Sequence, residues 1–320
     1  MNTIPLTFDE HQIDRAVLGG RVRNNDFSLN ISVILLNSRG SQFKIHLFEN
    51  LISCKFKSIV SIEKDGSSFN LEDISKKFPE IKFIIPVEKT NDGDLINLAM
   101  SEIDSEYALV IRDTINIPSS VILPNLAETL TKNKTYCIVP RLFDERKSSL
   151  PCNFSPRIEK THFVVDSSTA VNDGMKTLFP YDYIALYNRE KFIQLGGYDW
   201  TINSSYWQIM DLAIRSWLWG EETKITSLLQ FSYTEDYPVL DKSVTIDYLR
   251  YYLKNEVPIL KMETGYIKKS SFFIFKMKSS CGLFEARRQF QCARQWVESN
   301  KYKFKMDLQT LIESWNKDEK

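Results

Sequence analysis

A charged pair and a hydroxyl follow a short apolar run near the middle of the chain. In the sequence YALVIRDT, residues 107–111 lead directly into Arg112, Asp113 and Thr114. Carboxylate oxygens are ligands that Mg²⁺ and Mn²⁺ prefer, and a guanidinium matches phosphate oxygens through paired hydrogen bonds. Asp113 could therefore hold a metal ion, hold another ligand, or only pair with Arg112.

The elements around these residues alternate between strands and helices. Apolar, β-branched runs predict strands at 29–37, 57–62, 81–87, 107–111 and 135–140, and helical spacing lies between several of them. Such alternation predicts a largely parallel sheet that is covered on both faces. Ligands of such sheets bind beyond the carboxyl ends of the strands, so the loops after Leu36, Ile62 and Ile111 are candidate sites.

Composition excludes several classes of protein. The 320 residues are 43% hydrophobic, and 41 basic residues balance 41 acidic ones, whereas a dedicated nucleic-acid binder carries a basic excess. Five scattered Cys and three separate His predict buried free thiols rather than disulfides or a zinc site. The beginning of the sequence has no signal-peptide pattern, and no apolar run is long enough for a membrane span, so we expect a cytoplasmic protein.

The outer parts of the chain differ from this alternating region. Residues 1–27 are polar and predict an arm or an added edge element. Residues 141–178 are rich in Ser and Asp and predict a long functional or mobile loop. Asp92 is predicted to cap a helix. From about Val239 the pattern becomes helical.

Four segments together resemble a family 2 glycosyltransferase with the GT-A fold. The segment ISVILLNSRG resembles the family's first strand, IEKDGSSFN the end of its second strand, and YALVIRDTINIP the strand that leads to its metal-binding Asp-x-Asp. The segment ALYNREKFIQLGGYDWTINSSYWQIMDLAIRSWLWG, the most specific of the four, resembles the acceptor-side segment. The resemblance covers residues 29–230. It implies an α/β GT-A-like domain over 28–235, with a mixed, mostly parallel sheet, and a helical C-terminal extension over 236–320.

Several catalytic positions depart from the family pattern. Arg112 and Thr114 replace the two acids of Asp-x-Asp, which leaves Asp113 as the acidic residue there. Gln208 and Ile209 replace the acid pair of the family's Glu-Asp-x-Asp motif, and Asp211 remains. Because Ile209 cannot accept a proton, the usual catalytic base is missing.

The resemblance still implies a role for each matching position. The implied catalytic base is Asp211, although an Asp in the first turn of a helix is also favoured by the helix dipole. The implied metal ligand is Asp113. The implied residues for the nucleotide-sugar donor are Asn37, Lys64, Asp65, Asn97, Arg112 and Asp113. The implied acceptor residues are Trp200, Trp207 and Gln208, since aromatic faces suit sugar rings, although dense aromatics are also typical of a core.

The implied activity is hexosyl transfer from a nucleotide-sugar donor to a glycan or lipid-linked acceptor, in bacterial surface-polysaccharide assembly. The implied cofactor is Mn²⁺ or Mg²⁺, and the altered Asp-x-Asp favours a metal-independent alternative in which Arg112 supplies the charge. A second hypothesis is a catalytically inactive relative that acts as a binding or assembly partner. The basic residues of FEARRQFQCARQWVESNKYKFK also allow peripheral contact of the C-terminal helices with a membrane, beside the alternative of a solvated helix packed on the main domain.

Overall fold

A mixed β-sheet forms the centre of the molecule. The computed structural model describes residues 11–20, 29–37, 44–63, 70–117, 122, 124–160, 162–279 and 281–318. Within these residues, nine strands are hydrogen-bonded in the order β1-β4-β3-β2-β5-β10-β7-β11-β6. They are β1 (Arg15–Gly19), β2 (Leu29–Leu36), β3 (Phe56–Ile62), β4 (Ile81–Pro86), β5 (Tyr107–Arg112), β6 (Ile115–Asn116), β7 (Cys137–Phe143), β10 (Ala185–Asn188) and β11 (Thr223–Tyr233).

Strands β4, β3, β2 and β5 run parallel, as the sequence predicts, and β7 pairs in parallel with β11. Strand β10 runs antiparallel between β5 and β7, and β1 adds an antiparallel edge next to β4. The predicted edge element near the N-terminus is therefore present. The apolar residues of β2 and β5 are almost entirely enclosed, which explains their continuous apolar runs.

Ten helices lie within the described residues, and they flank the sheet or form the C-terminal part. They are α1 (Ile45–Ser53), α2 (Leu71–Lys77), α3 (Asp92–Ser101), α4 (Pro124–Thr131), α5 (Arg189–Gln194), α6 (Ser205–Leu218), α7 (Ile246–Asn255), α8 (Ser271–Lys278), α9 (Leu283–Asn300) and α10 (Leu308–Asp318). The prediction that Asp92 caps α3 was wrong by one residue. Asn91 is the N-cap, and its side chain accepts a hydrogen bond from the backbone nitrogen of Asp94 at 3.0 Å.

The long loop predicted over residues 141–178 contains a β-hairpin instead. Strand β7 continues to Phe143, and β8 (Asn153–Glu159) pairs with β9 (His162–Ser168) in a separate two-stranded sheet. A second small hairpin joins β12 (Ile259–Lys261) to β13 (Thr264–Tyr266) within the part predicted as helical. The segment of β8 and β9 contains several Ser residues, Asp166 and Pro156, which are typical of loops, and β12 and β13 have three residues each, too few to show alternation.

The C-terminal helices pack on α6 rather than standing apart from the sheet. Trp217 meets Trp315 edge to face at 4.9 Å between ring centroids, and Trp219 stacks on Trp296 at 5.8 Å. One continuous cluster of buried apolar side chains includes residues of both parts. The hydrophobic core thus holds the sheet and the helical extension together.

Candidate functional site

A cleft of about 510 Å³ opens beyond the carboxyl end of β5. Arg112 and Thr114 of the predicted site lie in its wall, together with Ile209 of α6. The other walls come from the first residue of α3, the start of α6 and the segment after β11. Their lining side chains include Asp92, Asp182, Ser204, Ser205, Tyr206, Asp236 and Asp241.

Arg112 joins two carboxylates at this cleft. Its Nη2 lies 2.8 Å from Oδ2 of Asp92, and its Nε lies 2.6 Å from Oδ2 of Asp182. Burial alone would lower the pKa of Arg112, but the two carboxylates raise it well above its ordinary value. Arg112 therefore stays charged and fixes the two acidic side chains.

Asp182 is held in an uncommon backbone conformation. Asp182 and Tyr183 have φ angles of 52° and 65°, in the left-handed region that residues other than glycine rarely adopt. Tyr233 donates a hydrogen bond of 3.1 Å to Asp182, and burial raises the pKa of Asp182 although Arg112 opposes the shift. Strained residues and raised carboxyl pKa values both concentrate at functional sites.

Asp113 pairs with a different cation from the one considered in the sequence. Its Oδ2 lies 3.3 Å from Nζ of Lys44, and both side chains are almost completely enclosed. The backbone nitrogen of Asp113 also donates to the carbonyl of Leu36 at 3.1 Å, which joins the ends of β5 and β2. The pairing with Arg112 that the sequence allowed is therefore not the one observed.

These residues do not fit the divalent ion that the resemblance implies. At the Asp-x-Asp position one carboxylate remains, and it faces an ammonium group rather than further oxygen ligands. Across the described part of the chain, no group of three His, Cys, Asp or Glu side chains could hold a metal together. Such an ion is usually held by one or two carboxylates together with substrate phosphates, and the carboxylate that remains here is already paired with Lys44, so we derive no step through a metal.

The predicted donor residue Asn37 lies at the end of β2, next to β3. Its Nδ2 donates to Ser61 at 2.7 Å and to Glu63 at 2.8 Å, and the side chain is buried. Two further predicted donor residues, Lys64 and Asp65, lie outside the described residues. The structure therefore describes four of the six predicted donor residues, which are Asn37, Asn97, Arg112 and Asp113.

Asn97 and Gln208 connect elements instead of facing the cleft. Both polar ends of Asn97 bind the backbone of Tyr198, each at 2.8 Å. Gln208 accepts from the backbone nitrogen of Gly93 and from the Tyr183 hydroxyl, and its amide donates to Asn91 and to the carbonyl of residue 199. With four partners and no exposed area, Gln208 has no group left for an acceptor.

Asp211 is enclosed in a buried charge cluster. Arg215 lies 2.8 Å and Lys254 lies 3.0 Å from its Oδ2, and Asn255 donates to its Oδ1 at 2.8 Å. Lys254 also lies 3.0 Å from Asp199. The cluster therefore contains two acidic and two basic side chains. The Asp211 carboxylate has no exposed surface and does not line the cleft. This placement argues against the predicted role as catalytic base and favours a role in joining α6 to α7.

The two predicted acceptor tryptophans lie outside the cleft wall. Trp200 stacks on His11 with ring centroids 4.4 Å apart. Trp207 is buried against Tyr248 and Tyr251, and its Nε1 donates to the carbonyl of residue 243 at 2.8 Å. Dense aromatics here therefore belong mainly to the core, the alternative that the sequence left open.

The structure also brings together residues that the sequence reasoning did not select. Asp182 is one acid within the apolar and aromatic run FPYDYIAL, and that isolation was a signal that could have identified it. Asp92 was interpreted only as a cap. Ser204, Asp236 and Asp241 reach the cleft through folding of distant segments, and no local pattern marks them.

Comparisons with known proteins support the fold. No family model matches the chain, and no curated protein matches it. The solved structure of GalNAc-T7 with UDP, GalNAc and Mn²⁺ is 11% identical, with a TM-score of 0.60 over 91% of this chain. Residues 1–349 of S. aureus TarS, in complex with UDP-GlcNAc, are 11% identical, with a TM-score of 0.51 over 84% of this chain and 72% of that one. The chain spans 57% of the GalNAc-T7 chain. These neighbours are glycosyltransferases of the GT-A type, so the expected GT-A-like fold is confirmed.

Proposed function

We propose that the protein is a glycosyltransferase that moves a sugar from a nucleotide-sugar donor to a glycan or lipid-linked acceptor. The observation that carries the proposal is the cleft at the end of β5, where Arg112 holds Asp92 and Asp182 beside several hydroxyl groups. In open α/β sheets this edge is where ligands bind. UDP-GlcNAc was present with S. aureus TarS, which supports a nucleotide-sugar as the donor. A cytoplasmic role in bacterial surface-polysaccharide assembly remains part of the proposal.

The chemistry of the cleft suits a sugar more than a free diphosphate. Asp92, Asp182 and Arg112 together carry a net charge of −1 when both acids are ionised, which repels phosphate. Carboxylates accept hydrogen bonds from sugar hydroxyls, serine hydroxyls both accept and donate them, and Tyr206 adds an aromatic face. We therefore assign the cleft to the transferred sugar and the acceptor. The nucleotide belongs at the neighbouring ends of β2 and β3, where the sequence predicts Asn37, Lys64 and Asp65.

The proposal assigns the proton transfer to Asp92. Its side chain is 14% exposed, compared with 4% for Asp182, so it is more accessible to an acceptor hydroxyl. Arg112 holds Asp92 in position, and the proposal assigns the stabilisation of charge on the departing diphosphate to Lys64, which the sequence predicts beside the nucleotide. This assignment uses no divalent ion.

A nucleotide-release assay with purified protein tests this assignment. We expect Asp92→Asn to lower donor turnover by about 10²-fold or more, since general acid–base catalysis contributes about 10²–10⁴-fold. Asp73→Asn is the matched control, because Asp73 also lies in the first turn of a helix, at α2, but is exposed. Equal turnover of the wild-type protein and Asp92→Asn would contradict the role of Asp92.

A specific observation favours a second function, a non-catalytic sugar-binding protein. Ile209 lines the cleft at the position that the resemblance gives to the usual base. In that case nucleotide-sugars should raise the melting temperature, but no donor should release its nucleotide diphosphate with any acceptor. Thermal shift and nucleotide release, measured on the same donors, separate the two functions.

A further inference from the structure

Five large apolar side chains are exposed at one end of the helical extension. Phe273, Ile274 and Met277 of α8 have exposed fractions of 72%, 57% and 89%, and Leu283 and Phe284 at the start of α9 have 58% and 89%. Helix α8 ends at Lys278 and α9 begins at Leu283, so four residues separate them and these side chains belong to one helical corner. We call these five residues the apolar corner. Concentrated exposure of this kind marks an interaction site.

The opposite side of α8 is firmly packed. Phe275 is completely buried, and its ring lies 6.2 Å from that of Phe290 of α9. Phe272 contacts the same ring at 5.5 Å. The apolar corner is therefore presented by a fixed pair of helices, and its exposure does not result from a loosely attached segment.

Basic residues flank the apolar corner along the chain. Residues 268–288 contain six Lys or Arg and one acid, Glu285, although the whole chain has no net charge. Glu285 is itself paired with Arg288 at 2.8 Å. The basic residues are Lys268, Lys269, Lys276, Lys278, Arg287 and Arg288.

We propose that the apolar corner docks on the surface of an anionic lipid bilayer. The apolar side chains would enter the boundary between headgroups and acyl chains, and the flanking Lys and Arg would contact anionic headgroups. No helix in the described part of the chain has both the length and the apolar character to cross a bilayer.

The charges favour a bilayer over two other partners. A symmetric pair of chains joined through this corner would bring two strongly basic surfaces together, which is unfavourable. Nucleic acid would satisfy the Lys and Arg but would leave Met277 and Ile274 in water. An anionic bilayer pairs with the basic side chains and also removes the apolar side chains from water.

The proposed membrane contact lies at a different place from the one that the sequence predicts. The predicted membrane helix placed Phe290 and Trp296 between basic residues of α9, but both side chains are buried in the core. The membrane contact therefore moves to α8 and the first turn of α9.

Sedimentation with vesicles tests the proposal on the full chain without any nucleotide. We expect binding to phosphatidylcholine vesicles that contain phosphatidylglycerol, weak binding to pure phosphatidylcholine, and loss of binding at high salt. The variant Phe273→Ser, Met277→Ser, Phe284→Ser should bind at least about tenfold more weakly, because each buried methylene group contributes to interfacial binding. The control Val87→Ser, Leu228→Ser removes exposed apolar side chains just after β4 and within β11, and should bind like the wild-type protein.

A second variant keeps the test decisive if the first does not fold. Lys268→Glu, Lys269→Glu changes two exposed residues and should also weaken binding to the anionic vesicles. Undiminished vesicle binding by folded variants would overturn the proposal. It would also be overturned if the wild-type protein did not bind vesicles and instead formed a dimer that dissociates in the variants. Since no donor is present, failure here is separate from failure of the proposed transfer.

Discussion

Arg112 shows how one substitution changes the chemistry of a strand end. Where the resemblance expects an acid, the guanidinium holds Asp92 and Asp182 at 2.8 Å and 2.6 Å. The neighbouring Asp113 is paired with Lys44. A position that could concentrate negative charge for a metal is thus occupied by internal ion pairs.

Removal of the guanidinium should strongly destabilise the protein. Arg112→Ala would leave two largely buried carboxylates without their cation, and we expect the free energy of unfolding to fall by about 3–5 kcal/mol at neutral pH. Arg146→Ala, at an exposed arginine, should change it little. Urea denaturation of both variants measures the difference.

The decrease in the free energy of unfolding caused by Arg112→Ala should depend on pH. Burial raises the pKa of Asp182, and removal of Arg112 raises it further, so the folded variant binds protons more readily than the unfolded chain. Stability gained from that proton uptake is present at low pH and is lost as the pH rises through the folded-state pKa. A loss that is equal at pH 5 and pH 8 would contradict this account.

At the scale of elements, α6 and α7 are joined through buried charges. Lys254 of α7 lies 3.0 Å from both Asp199 and Asp211 and carries no exposed surface. Burial alone would raise the pKa of Asp199, but Lys254 and Thr201 outweigh it and hold the pKa below its ordinary value. The ionised form of Asp199 therefore depends on Lys254.

We expect Lys254→Met to lower the free energy of unfolding by about 3–5 kcal/mol, because the buried carboxylate of Asp199 would lose the cation that contacts it and Asp211 would keep Arg215 alone. Lys261→Met, at an exposed lysine of β12, is the matched control. Chemical denaturation measures both variants, and an unchanged midpoint in Lys254→Met would show that the cluster does not hold α7 in place.

Glu256, at the end of α7, should make stability depend on pH. Burial raises its pKa to about 7, although Lys278 opposes the shift. The folded state therefore binds a proton between about pH 4.5 and 7 that the unfolded chain releases, and stability should fall as the pH rises through this window.

Glu256→Gln should remove this dependence. Above pH 8 we expect the variant to be more stable than the wild-type protein by up to about 3 kcal/mol, since the pKa of Glu256 rises from 4.5 to about 7 and one unit of pKa corresponds to about 1.4 kcal/mol. Melting temperatures at pH 5 and pH 8 measure the effect. A variant that loses stability equally at both pH values would show that the carboxylate is needed for packing.

At the scale of the whole molecule, the sequence predicted the sheet better than the site. The parallel strands β2 to β5 are continuous apolar runs, so the sequence could predict that both faces of the sheet are buried there. Strand β10 lies between β5 and β7 because of tertiary pairing alone, and no local pattern gives its position. The hairpin β8-β9 was missed because the segment that contains it is rich in Ser and Asp, and β12-β13 was missed because strands of three residues are too short to show alternation.

The candidate site was predictable where it follows a strand and not where it is assembled from distant segments. Arg112 and Thr114 were found because they end an apolar run. Gln208 and Asp211 have residue types suited to chemistry, yet the fold surrounds them with partners from α3 and α7. Asp92 and Asp182 become a pair only through Arg112, a contact that sequence spacing does not contain.

The central claim is that this GT-A-like chain binds a nucleotide-sugar without a divalent ion at the altered Asp-x-Asp. Thermal shift with a panel of nucleotide-sugars, in EDTA and in Mn²⁺, tests it most directly. A donor at 100 times its dissociation constant should stabilise the fold by about 2.7 kcal/mol. The account predicts the same rise in melting temperature in EDTA as in Mn²⁺ for the donor that binds. A rise that occurs in Mn²⁺ and disappears in EDTA would contradict it.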